Sequence, residues 1–128
     1  MLALDRGGSC RGLLFRIQAA KVRTELHLLW RREMVAGSYD ARWLWAWADG
    51  RSIRALTFVA NRSNERYLGG RPIEHVAHLI RTGKGPMGTS RAYFESTVQT
   101  LERLGIADIG IERLGRAISR ADMEAEAA

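Results

Sequence analysis

Among the residues able to do chemistry in this 128-residue sequence, Glu33 has the least ordinary setting. It stands in Arg31-Arg32-Glu33, at the C-terminal end of an expected helix, where the macrodipole disfavours negative charge. Arg31 or Arg32 offsets that cost, and from residue types alone a solvated surface acid is the more economical reading. The other candidates are thinner. His75 and His78 have a spacing that suits a metal, but His27 is the only other histidine and there is no cysteine pair, so no metal site is expected. Cys10 is the sole cysteine, cannot form an internal disulfide, and has no histidine near it in sequence. Ser9, Ser38 and Ser90 lie outside any Gly-x-Ser-x-Gly elbow. The Gly7-Gly8 turn lacks the lysine and hydroxyl residue of a phosphate-cradling loop. Trp43, Trp45 and Trp47 could stack on bases or a sugar, yet aromatics at strand spacing more often fill or cover a core.

The elements that must position these residues read as strands first and helices later. Leu2–Leu4 and Arg11–Ile17 are expected to pair as a hairpin around the Asp5-Arg6-Gly7-Gly8-Ser9 turn. Val22, Leu26, Leu29 and Trp30 recur at helical spacing, predicting a helix over about 21–33. Trp43, Trp45 and Trp47 alternate with Arg42, Leu44 and Ala46, which places three indoles on one face of a strand. Asp49-Gly50 turns that strand into a returning one over Ile53–Val59. Asn61–Arg71 reads as a polar loop holding Tyr67. Pro72 opens a helix with Ile73, Val76, Ala77 and Ile80 on its apolar face, and Gly83-Lys84-Gly85-Pro86 stops it. Thr89 or Ser90 caps the next helix and Asp108 the last, which turns Ile111, Leu114 and Ile118 inward. This order predicts an α+β domain.

Composition narrows the class. An apolar fraction of 46% with 27% charged residues fits one folded domain over 1–128 and argues against disorder. No apolar run approaches the roughly 18 residues of a membrane span, and the first residues are too short an apolar stretch for a signal peptide. The single cysteine fits a reducing compartment, so a cytoplasmic protein without a membrane partner is expected. The net charge of +6 invites a nucleic-acid reading, but the basic residues are scattered and accompanied by acids, so nucleic acid is not the expected partner.

Several segments, taken together, resemble one family. Leu29-Trp30-Arg31-Arg32-Glu33-Met34-Val35-Ala36-Gly37-Ser38-Tyr39 is similar to the signature of the ChaC gamma-glutamylcyclotransferases. Asp5-Arg6-Gly7-Gly8-Ser9-Cys10-Arg11-Gly12 resembles the stretch before it, and Arg66-Tyr67-Leu68-Gly69-Gly70 a tyrosine-containing loop. Gly85-Pro86-Met87-Gly88-Thr89-Ser90 with Tyr93-Phe94 resembles a Gly-Pro-x-Gly-Thr-Asn-x-x-Tyr-Leu stretch, with Ser90 where that family often has asparagine. Leu104-Gly105-Ile106-Ala107-Asp108 matches the link to a last helix. The pieces occur in family order across nearly the whole chain.

The resemblance implies a small twisted β-barrel flanked by helices, and the glutathione-specific reaction that yields 5-oxoproline and cysteinylglycine. It places Glu33 as the catalytic acid/base, with Tyr67 and Tyr93 as pocket walls or hydrogen-bond donors to the substrate. It implies a monomer that needs no cofactor and no metal. One departure stands out: the family's first strand and its Tyr-Gly-Ser-Leu substrate loop precede the first matched segment and have no counterpart here. The 128 residues alone are therefore expected to turn glutathione over weakly or not at all, as an inactive remnant or interaction module would, and an upstream extension is expected to restore activity.

Overall fold

The computed structural model describes residues 1–128. Two compact units divide the chain, Leu2–Tyr67 and Leu68–Ala128. The elements are α1 (Val22–Met34), β1 (Tyr39–Ala48), β2 (Arg51–Ala60), α2 (Ile73–Thr82), β3 (Lys84–Gly85), β4 (Gly88–Thr89), α3 (Ser90–Arg103) and α4 (Ile109–Ala127). Mixed helix and antiparallel sheet make the class α+β. No helix is long and apolar enough to cross a membrane.

In the first unit, β1 and β2 form an antiparallel ribbon in register from Tyr39 opposite Ala60 to Ala48 opposite Arg51. Asp49 and Gly50 close it, both at positive φ (50° and 74°), the conformation that matches a two-residue turn to the twist of its strands. The expected hairpin of Leu2–Leu4 with Arg11–Ile17 does not form. Residues 11–17 carry no strand, and Leu4 instead makes a single parallel bridge to Val59, with the Ala60 amide donating to the Leu4 carbonyl at 2.7 Å. Leu13, Leu14 and Phe15 follow one another without alternation, so an extended chain there offers no single apolar face to bury. All three are exposed.

The barrel expected from resemblance is not closed. β1–β2 and β3–β4 are separate two-stranded sheets. The openness also corrects the expectation that the three tryptophans fill or cover a core. Trp43, Trp45 and Trp47 share one face as predicted, but they are 61%, 71% and 76% exposed. Ala41, opposite Phe58, lies on that same face, and Trp30 of α1 meets the Phe58 ring edge-on at 6.5 Å between centroids. Nothing comparable layers the turn-proximal half of the ribbon, where Arg54 lies over the Trp43 and Trp45 rings at 5.8 and 5.9 Å.

The second unit is helical and keeps the predicted faces. Ala77, Ala117 and Ile118 form its buried centre, with Ile73, Ile80, Phe94 and Leu114 packed around them. Thr89 caps α3 by accepting from the Ala92 amide, and Asp108 caps α4 by accepting from the Ile111 amide. Pro72 sits one position earlier than expected, as the residue before α2. Gly83 ends α2 where a Cβ would stand 2.6 Å from the Leu79 carbonyl oxygen and 2.5 Å from Ser90 Oγ, so only glycine fits.

Asp122 of α4 ties the three helices of this unit together. It accepts from Arg81 Nε of α2 at 2.7 Å and from Arg91 Nη2 of α3 at 2.6 Å. Those hydrogen bonds, Arg91 first and Arg81 second, lower its carboxyl from the ordinary 3.8 to about 2. A group whose folded-state value is depressed stabilises fully above its unfolded value and loses that contribution as pH falls through the folded one. Thermal unfolding followed against pH should therefore show this unit weakening between about pH 4 and pH 2, and Asp122→Asn should flatten that part of the profile.

Candidate active site

Glu33 lies in the last turn of α1, and its surroundings explain why it is not a free surface acid. Val22, Leu26, Leu29 and Glu33 fall at i, i+4, i+7 and i+11, and all four are half-buried among mostly exposed neighbours. The carboxylate thus continues the helix's inward apolar stripe, and its side chain is only 18% exposed. Arg31 and Arg32, both in that last turn, offset the negative end of the helix dipole. Arg32 Nε donates to Glu33 Oε1 at 2.9 Å. Residues one apart do not face each other on a helix, so Arg32 must fold across the surface to reach it, and it remains 78% exposed. Such a pair is worth at most about 1 kcal/mol, so it orients the carboxylate more than it stabilises the fold.

The turn after Glu33 is gripped from the far end of the ribbon. Gly37, at φ 64°, takes the chain out of the helix, its amide donating to the Met34 carbonyl. Three successive carbonyls then accept bonds from the loop after β2. Asn64 Nδ2 donates to Ala36 at 3.3 Å, Asn61 Nδ2 to Gly37 at 3.0 Å, and the Asn61 amide to Ser38 at 2.9 Å. Asn61 and Asn64 also hold their own loop through the Ser63 and Arg66 amides. Asn61→Ala is expected to cost the first unit about 1–2 kcal/mol in chemical denaturation, because a part-buried carbonyl loses its donor. The sequence pattern gives no sign of this role for either asparagine. The stripe position of Glu33, by contrast, was there to be counted.

Tyr67 belongs to the same unit as Glu33, and its hydroxyl donates to Asp5 Oδ2 at 2.5 Å. Arg62 Nε donates to Asp5 Oδ1 at 2.8 Å, and the Arg62 guanidinium lies 5.9 Å from the Tyr67 ring centroid. Asp5 is held down at about 2 by Arg62, then Tyr67, then the Arg6 amide. The bond to Asp5 in turn pushes the Tyr67 phenol up, so it stays a protonated donor. Tyr93 is on α3, in the second unit, and is half exposed. A cleft of about 230 Å³ runs beside this knot and is lined by Arg6, Asp40, Arg42, Asn61, Arg62 and Ser63 among others. Glu33 does not line it. No group of three His, Cys, Asp or Glu side chains is placed to hold a metal, and Cys10 is exposed.

Glu33 is thus a half-buried carboxylate at a helix end, with Arg32 Nε as its hydrogen-bond donor. The chain belongs to the ChaC-like protein family, which it matches over residues 1–121. It is 36% identical over 115 residues to the glutathione-specific gamma-glutamylcyclotransferase of Escherichia coli (strain K12), covering 89% of this chain and 50% of that protein. To glutathione-specific gamma-glutamylcyclotransferase 1 of Homo sapiens it is 32% identical over 92 residues, 70% of this chain and 41% of the human protein. Gamma-glutamylcyclotransferase 2-3 of Arabidopsis thaliana is 34% identical over 74 residues, 56% of this chain and 37% of the plant protein. The chain therefore spans half the length of these relatives or less. No solved structure matches it.

Proposed function

We propose that the protein carrying this chain is a glutathione-specific gamma-glutamylcyclotransferase with Glu33 as its acid/base. The observation that carries this reading is an acid standing at an inward position of α1, in a chain of the ChaC-like family. The substrate's α-amine attacks its own γ-carbonyl. A new C–N bond closes the five-membered ring as the amide bond to cysteine breaks. An α-amine with a reference value of about 7.7–8.0 is mostly protonated at neutral pH, so a base must first free its lone pair. Glu33 takes that proton and returns it to the departing cysteinyl nitrogen, giving 5-oxoproline and cysteinylglycine. Tyr67 and Tyr93 serve as pocket walls or donors to the substrate.

Residues 1–128 are read as one domain of the gamma-glutamylcyclotransferase type, in which the β1–β2 ribbon contributes to a small twisted barrel. The protein is read as a cytoplasmic monomer acting on a small molecule, without cofactor, nucleic acid or membrane. The test is equimolar release of 5-oxoproline and cysteinylglycine from glutathione, with other γ-glutamyl peptides as competitors for specificity. Release of neither from a chain that also carries a Tyr-Gly-Ser-Leu loop upstream would overturn the assignment. It would favour a second reading, a non-catalytic member of the same fold.

A further inference from the structure

A cleft of about 420 Å³ lies wholly within the second unit, and none of the residues assigned above lines it. Arg113, Arg116 and Arg120 of α4 line it, with Ile73 of α2. Their i, i+3, i+7 spacing brings the three guanidinium groups to one face of the helix. None of the three pairs with a carboxylate, unlike Arg81 and Arg91 in the same unit, which Asp122 neutralises. Glu74 and Glu112 are the adjacent acids in sequence; neither lines the cleft nor pairs with these arginines. Ile73 is also the first residue of α2, whose N-terminus has no side-chain cap and is preceded by Pro72. The His75 and Val76 amides donate to the Pro72 carbonyl and Glu74 in that first turn offsets the positive end of the helix, so the helix start adds no anion site of its own.

Three arginines without a carboxylate partner line one concavity, and nothing in the proposed ring closure uses them. We infer that this cleft binds a compact multivalent oxyanion, a di- or triphosphate chain. Size selects that class. Seven residues of helix span about 10 Å, the reach of a short phosphate chain and too little to track a nucleic-acid strand. Planar guanidinium forks suit phosphate oxygens, which accept paired N–H donors.

The experiment is calorimetric titration of the protein with inorganic tripolyphosphate, and in parallel with adenosine triphosphate and with a single-stranded oligonucleotide. Saturable binding at one site is expected, weakening with salt. Arg116→Gln should weaken it roughly tenfold, and the triple Arg113→Gln/Arg116→Gln/Arg120→Gln variant should remove it. A second triple variant, Arg23→Gln/Arg51→Gln/Arg71→Gln, takes away the same charge elsewhere and should bind as the parent does. Equal affinity for the two phosphate ligands assigns recognition to the phosphate chain alone, and tighter nucleotide binding adds a base contact. No binding, equal loss in both triple variants, or an oligonucleotide bound more tightly than tripolyphosphate would overturn the inference. Because the readout is binding and not turnover, it stands or falls independently of glutathione cleavage.

Discussion

In the protein extended upstream by the Tyr-Gly-Ser-Leu loop, Glu33→Gln should lower 5-oxoproline release by roughly 10² to 10⁴ while leaving thermal unfolding nearly unchanged. The amide keeps the size of the side chain and can still fill its half-buried place on the α1 stripe. It loses the proton acceptor, and ring closure cannot start until the α-amine is free. The bond from Arg32 Nε survives the change, since the glutamine carbonyl oxygen also accepts. Folding and chemistry are thus separable at this residue. Glu33→Asp should fall between the two, because it keeps the carboxylate but withdraws it by one methylene, and a misplacement of about 1 Å can cost 10²-fold. Turnover by the glutamine variant at the parent's rate, with its fold intact, would take Glu33 out of the mechanism.

How far the sequence foretold this depends on whether a signal is local. Helical spacing over about 21–33, the Asp49-Gly50 turn, and the caps at Thr89 and Asp108 each rest on contacts within four residues, and each appears in the structure, the helix as Val22–Met34. The missed hairpin at 2–17 depended on a partner strand, and a short strand without a packed face has little stability of its own. Alternation likewise put Trp43, Trp45 and Trp47 on one face but could not say whether a second layer covers them. At the candidate site the same division holds. Glu33 stands in a recognisable segment and at a countable helical position. Asp5 and Tyr67, 62 residues apart, and Asn61 with Gly37, 24 apart, meet only through the ribbon's return, which no local pattern encodes.

Ile118→Ala is expected to destabilise the second unit by about 2–5 kcal/mol, a large share of the roughly 5–15 kcal/mol typical of a whole domain. Ile118 is 4% exposed and is the one large side chain among the three buried residues of its unit; the others are Ala77 and Ala117. Those alanines bring α2 and α4 close and leave Ile118 to fill the space that Ile73, Ile80, Phe94 and Leu114 surround. Removing its outer carbons forfeits their burial and opens a cavity that helices already cross-tied by Asp122 cannot readily close. Met123→Ala, five residues further along α4 but 63% exposed, removes a side chain of similar bulk and should change stability by no more than about 0.5 kcal/mol. Urea denaturation of the two variants beside the parent measures both. Equal effects would mean that α4 does not bury the face carrying Ala117 and Ile118, and the packing described for the second unit would have to be abandoned.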